Sequence, residues 1–277
     1  MDLDRYLTVS AQIKTDDLDW DLAARVGLTD DEVFILTYFS DIEGQTIFYL
    51  RDLLRGDAAM QPEVIGFLSM WNYEEYFHGR ALARLLEVCG HSLAKERIAA
   101  VRKSSTIQET IEANLIAFGA TLFPRDFPGI PMSWGASQEI TTLRGYELLG
   151  ERTKNPILKE LCERIALQER RHYAWYFNSA REILQRSSWA RKITRFALNS
   201  FWSPVGVGVK SEMEMLRLIH LFFPGDIGMQ LAIDIDQKLG ELPGLENISL
   251  MRQYATKAAA AFGSGATGAP PQIAAAA

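Results

Sequence analysis

The chain reads as an all-α helical bundle, and three observations predict it. Nearly every long segment repeats its apolar residues at helical spacing, and none sustains the period-two alternation of a half-buried strand. Three prolines crowd into one short stretch, 123–131, and break the pattern there. Two Glu-x-x-His pairs, Glu75-Tyr-Phe-His78 and Glu169-Arg-Arg-His172, sit within two of the longest segments, at a spacing that puts both members on one helix face.

The elements follow in order. A first helix is expected after Thr29-Asp30, either of which can cap it, running to about Gly56. A second starts at Pro62, a good first-turn residue, and stops at Cys89-Gly90. Shorter helices are expected over 93–103 and 106–122, the latter halted by three prolines within 123–131. Long helices should then cover Ser133 to Arg152 and Pro156 to about Gln185. Helices over 188–200, 208–222 and 224–239 complete the set. The stretch from Gly263 is Gly, Ala and Pro without an apolar face and reads as disordered. No segment reads as a domain linker, so residues 1–262 are expected to form one domain and 263–277 a tail.

Bulk properties exclude several classes. The 277 residues are 48% hydrophobic and 23% charged, as expected of a chain with a full core. A net charge of −6 with a pI near 5.4 argues against nucleic-acid binding. Two cysteines, Cys89 and Cys162, cannot build a disulfide framework and suggest a reducing compartment. No apolar run is long enough to span a bilayer and no signal peptide is evident, so a cytoplasmic location is expected.

The chemistry lies in the Glu-x-x-His pairs. Four histidines and 20 glutamates in 277 residues would give roughly 0.3 such pairs by composition alone. A Glu and a His one helical turn apart can bind one ion, and two facing pairs can hold two. Such sites also need a further Glu from each of two other helices. Glu43 and Glu139 are the candidates, 32 and 30 residues before Glu75 and Glu169, so a Glu…Glu-x-x-His unit occurs twice. Glu74 could replace Glu75, but it stands at i,i+4 to His78, and the i,i+3 spacing favours Glu75. Glu147 could replace Glu139, and the repeat favours Glu139. His91, after a helix-ending glycine, and His220, among apolar residues, read as structural. Four carboxylates and two imidazoles suit iron or manganese. Two divalent ions would offset four buried negative charges, so the metal-free protein should be less stable.

At these residues the chain resembles the soluble acyl-carrier-protein desaturases, members of the ferritin-like di-iron proteins. The likeness covers roughly residues 30–225. That family reads Glu, then Glu-Glu-x-x-His, then Gln-Glu-x-x-Thr, then Glu-x-Arg-His. Here the matching residues are Glu43, Glu74-Glu75-Tyr-Phe-His78, Gln138-Glu139-Ile-Thr-Thr142 and Glu169-Arg-Arg171-His172. Trp71 matches the family's tryptophan behind the ligands, Thr142 its hydroxyl on the oxygen side, and Arg171 its arginine within the last motif. Gln168 departs from the plastid members, which carry Asp there. The resemblance implies two iron ions per chain, O2 as oxidant, removal of hydrogen from an unactivated acyl chain carried as a thioester on acyl-carrier protein, a ferredoxin-type electron donor and a homodimer. Thr142 would move a proton or bind water beside the metals. Its alternative is to bond the carbonyl one turn back. The basic stretch Arg181, Arg186, Arg191, Lys192, Arg195 is a candidate docking surface for an acidic carrier. The same ligands would also serve a hydroxylase or N-oxygenase. An iron-storage protein is the reading from another class, and the helices beyond four speak against it.

Overall fold

The computed structural model describes residues 3–53, 61–91, 125–206 and 209–263. Among them every regular element is a helix: α1 (Leu3–Val9), α2 (Trp20–Val26), α3 (Asp30–Glu43), α4 (Thr46–Leu53), α5 (Pro62–Val88), α6 (Gly129–Arg152), α7 (Pro156–Arg186), α8 (Ser188–Phe201), α9 (Glu212–Phe222), α10 (Gly225–Leu239) and α11 (Met251–Phe262). The expected all-α bundle is therefore what forms. The helices expected over 93–103 and 106–122 and the tail from 264 lie outside the described residues.

Local chemistry sets the ends. Thr29 accepts from the Glu32 amide while Glu32 accepts from the Thr29 amide, a capping box that starts α3. Pro62 opens α5, and Gly90, at φ +87°, closes it. The amide of Gly90 then bonds Glu87 O and that of His91 bonds Leu86 O, satisfying two end carbonyls. His91 itself is exposed at this turn, in keeping with a structural role. Asn155 caps α7 through the amides of Ile157 and Leu158, and its own amide donates to Ala23 O and Gly27 O, tying α2 to the same point.

Two helix pairs form the centre. α3 lies along α5, α6 lies along α7, and α5 meets α7. α1, α2 and α4 pack on α5, and α2 also reaches α7. α9 and α10 pack on α11 and on α6, while α8 covers α6 and α7. One contiguous core runs through these layers, from Tyr6 and Phe67 to Ala258. No single described helix is long and apolar enough to cross a membrane; α9 and α10 would be so only together, and the chain bends by 103° between them.

The structure corrects several expectations. The helix expected to run from residue 30 to 56 breaks after Glu43, at Gly44 and Gln45. There α3 and α5 approach so closely that a Cβ on Gly79 would lie 3.1 Å from the Gly44 amide nitrogen and 3.2 Å from Glu43 Cβ. α6 begins at Gly129 rather than Ser133, because Pro131 fits within a first turn. α9 starts at Glu212, behind a Ser211–Glu214 capping box, rather than at residue 208. α1, α2 and α11 have no counterpart in the sequence reading. Asp236 accepts the amides of Leu250, Met251 and Arg252 and so starts α11 from another helix.

Gly135 faces the buried ring of Tyr176, and a Cβ there would lie 2.4 Å from Tyr176 Cδ1. That ring is wedged edge-on against Phe67 and Trp71 and cannot retreat. Gly135→Ala should therefore destabilise the protein by about 1–3 kcal/mol, despite the better helix propensity of alanine. A thermal melt unchanged or raised by the substitution would show that α6 and α7 are not in such close contact.

Candidate metal centre

The six carboxylate and imidazole residues expected from the motifs converge in the middle of the bundle. Glu43 comes from the last turn of α3, Glu75 and His78 from α5, Glu139 from α6, and Glu169 and His172 from α7. None is more than 6% exposed. Their ligand atoms form two groups, Glu43, Glu75, His78, Glu169 and Glu75, Glu139, Glu169, His172, each with all atoms within 4.8 Å of one another. Glu75 and Glu169 belong to both groups. Two cations side by side, bridged by these two carboxylates and each completed by one further Glu and one His, would satisfy this geometry.

Both imidazoles aim the same nitrogen inward. His78 Nδ1 lies 3.3 Å from Glu169 Oε1 and 3.6 Å from Glu75 Oε2. His172 Nδ1 lies 3.1 Å from Glu75 Oε1, 3.3 Å from Glu169 Oε2 and 3.6 Å from Glu139 Oε2. His78 Nδ1 and Glu169 Oε1 are buried without a hydrogen-bond partner. Such orphaned atoms are costly in an interior and are the residue types that bind iron or manganese. The residues present therefore fit bound metal.

The remaining expected residues support the ligands from outside. Trp71 Nε1 donates to Glu139 Oε1 at 3.0 Å. Gln168 Oε1 lies 2.6 Å from His78 Nε2. Arg171 donates to Glu74 Oε1 at 2.8 Å. Thr142 lines a narrow apolar cavity of about 20 Å³ with Phe39, Val205, Met215, Leu218 and Phe222, hardly more than room for a water. The bond to the carbonyl one turn back is made by its neighbour, Thr141, to Ser137 O at 2.8 Å.

The two rejected alternatives have other employment. Glu74 does not face the centre: its Oε2 lies 2.8 Å from the outer nitrogen of His172. Glu147 lies near the surface, paired with Arg144 and Arg170. His220 stacks on Phe262. Of the basic stretch, Arg191 donates to Leu184 O and Arg195 to Gly244 O and Glu246 O, so those two guanidinium groups hold the fold together. Arg186 pairs with Glu182, and Lys192 is exposed.

Sequence reasoning missed Tyr146, Tyr6 and Ala11. Tyr146 donates its phenol to Glu43 Oε1 at 2.7 Å. It stands seven residues after Glu139, two turns along the same face, which was a usable signal. Its ring packs on Phe39, which links the centre to the cavity. Tyr6 and the Ala11 amide both donate to Glu74, and no local pattern announces contacts across more than sixty residues.

Without metal, protons balance the charge. Burial and the neighbouring Glu75 push the Glu43 carboxyl well above its ordinary range, and burial and the Glu169 charge do the same for Glu139. Burial alone would lower the pKa of His78, but the neighbouring Glu169 and Glu75 carboxylates raise it to about 10. His172 is raised likewise, against burial, by the surrounding anions. Glu75 and Glu169 are held low despite burial, Glu75 by the adjoining Glu43 and both histidines and Glu169 by the two histidines against the Glu75 charge.

No family model matches the chain, and no curated protein or solved structure matches it.

Two measurements check this centre. Metal must displace the imidazolium protons and those of Glu43 and Glu139, so loading two divalent ions at pH 7 should release about four protons per chain. Affinity should rise with pH as those protons leave. A pH-stat titration with no proton release would contradict the assignment. Separately, Glu75→Ala and His172→Ala should cut bound metal to half or less by elemental analysis, while Glu147→Ala should leave it unchanged.

Proposed function

We propose that the protein is a di-iron enzyme that uses O2 to remove hydrogen from the apolar chain of an acyl thioester held on acyl-carrier protein, forming a double bond. The observation that carries the proposal is the pair of buried ligand groups sharing Glu75 and Glu169. Glu43, Glu75, His78, Glu139, Glu169 and His172 would hold the ions, and a redox-active metal bound there would supply the electron-transfer chemistry with oxygen. The motif likeness to the acyl-carrier-protein desaturases supports the acyl substrate.

The chain's own residues have separable parts to play. Burial of all six ligands excludes water, which strengthens the electrostatics of the centre and limits side reactions. Tyr146 and Trp71 each donate to one outer glutamate, Glu43 and Glu139, and so fix which carboxylate oxygen stays free. Glu74 and Gln168 hold the two imidazole rings in register. Thr142 stands one helical turn from Glu139 in the cavity wall, and its hydroxyl is of a type that can hold or pass on a proton.

The test is to load the protein with Fe(II) anaerobically, add an electron donor and a series of acyl carriers, admit O2 and weigh the products. Desaturation yields a product lighter by two hydrogens. A product heavier by one oxygen would replace desaturation with hydroxylation. Uptake of many irons per chain without product would overturn both in favour of iron storage. Thr142→Val should keep the metal content and lower the yield of product per O2 consumed, and an unchanged yield would remove Thr142 from the chemistry.

A further inference from the structure

The two metal positions look alike in their ligands but not in what stands behind them. His172 Nε2 lies 2.8 Å from Glu74 Oε2. A carboxylate that accepts from several donors is ionised, and Glu74 also takes Arg171 at 2.8 Å, the Ala11 amide at 3.1 Å and the Tyr6 phenol at 3.1 Å. His172 Nε2 is therefore the protonated ring nitrogen, donating to an anion, with Nδ1 left for metal. Behind His78 stands an amide. Gln168 Nε2 donates to Ala11 O at 2.8 Å, which turns its oxygen towards His78 Nε2 at 2.6 Å. His78 thus donates to a neutral carbonyl oxygen.

The arrangement is crossed. The residue before Glu75 backs the histidine of the other motif, and the residue before Glu169 backs the histidine of the first. One residue, Ala11, meets both: its amide N–H donates to Glu74 and its carbonyl accepts from Gln168. An acid at position 168 would face that carbonyl with a like charge, whereas glutamine donates to it. The outer glutamates do not undo the difference, since among the described residues each receives a neutral donor, Tyr146 on Glu43 and Trp71 on Glu139. Arg171 offsets part of the Glu74 charge but is itself partly exposed, so the bond to His172 keeps an ionised acceptor.

An anionic acceptor behind an imidazole raises its basicity and its hold on a metal, typically by 10–100-fold. We propose that the two positions are inequivalent: the one completed by Glu139 and His172 takes a divalent first-row cation first and tightly, and the one completed by Glu43 and His78 fills second and weakly. This rests on the two-metal reading of the site. It makes partial loading an ordered state, with one ion beside His172, and lets the second position be filled by a different ion.

The experiment is an anaerobic Co(II) titration of the full chain, followed by calorimetry and visible absorption. Wild-type protein should show two steps separated by at least about tenfold. His78→Ala should abolish the weak step and keep the tight one. Glu74→Gln should weaken the tight step by about 10–100-fold and leave the weak one in place. Gln168→Glu, which supplies the missing charge, should narrow the gap, and it tests the idea independently should Glu74→Gln fail to fold. Two equal steps in wild type, or loss of the tight step in His78→Ala, would overturn the inequivalence while leaving a two-metal site. Binding of no Co(II), or of one ion per chain at saturation, would overturn the two-metal reading as well.

Discussion

Four carboxylates brought out of water to one point are the constraint on which this fold turns. An isolated buried carboxylate is costly enough that it normally protonates instead. Here Glu43, Glu75, Glu139 and Glu169 share a site with two imidazoles. In the metal-free centre, burial and the neighbouring charges favour the protonated forms of Glu43 and Glu139, and the surrounding carboxylates favour protonation of both rings. Two divalent cations would do the same without protons, so the geometry is one that metal binding completes.

Everything around the centre can be read as support for that concentration of charge. The four helices that carry the ligands meet where side chains are smallest: Gly44 against Gly79 lets α3 close on α5, and Gly135 lets α6 lie against Tyr176. Donors then reach the ligands from outside, Tyr146 and Trp71 to carboxylates, Glu74 and Gln168 to rings. The N-terminal segment adds a further set of bonds, with Tyr6 and Ala11 bonded to the groups behind the histidines. Ligand position and fold are in this sense one problem, since the side chains that orient the site are also those that pack its walls.

Much of the centre was legible in the sequence because helical spacing is short-range geometry. A Glu and a His three residues apart must share a face, and a second copy of the unit at similar reach marked Glu43 and Glu139. The choice of Glu75 over Glu74 followed from that spacing, and the structure places Glu74 behind His172 instead. The helix ends were legible where a start has a local signature, as at Thr29, Pro62 and Pro156. The break after Glu43 was not, because the force that ends α3 there is the approach of α5. α11 was missed for a similar reason: its amides are capped by Asp236, from another helix.

By itself the sequence determined that the chain is helical and which six side chains carry the site, since periodicity and i,i+3 spacing depend only on the helix. Only the tertiary structure decided which ligands are shared, which group stands behind each histidine, and that an anion backs one ring and an amide the other. Those facts come from contacts between residues about a hundred positions apart, whose pairing depends on how the helices cross and not on any pattern along the chain.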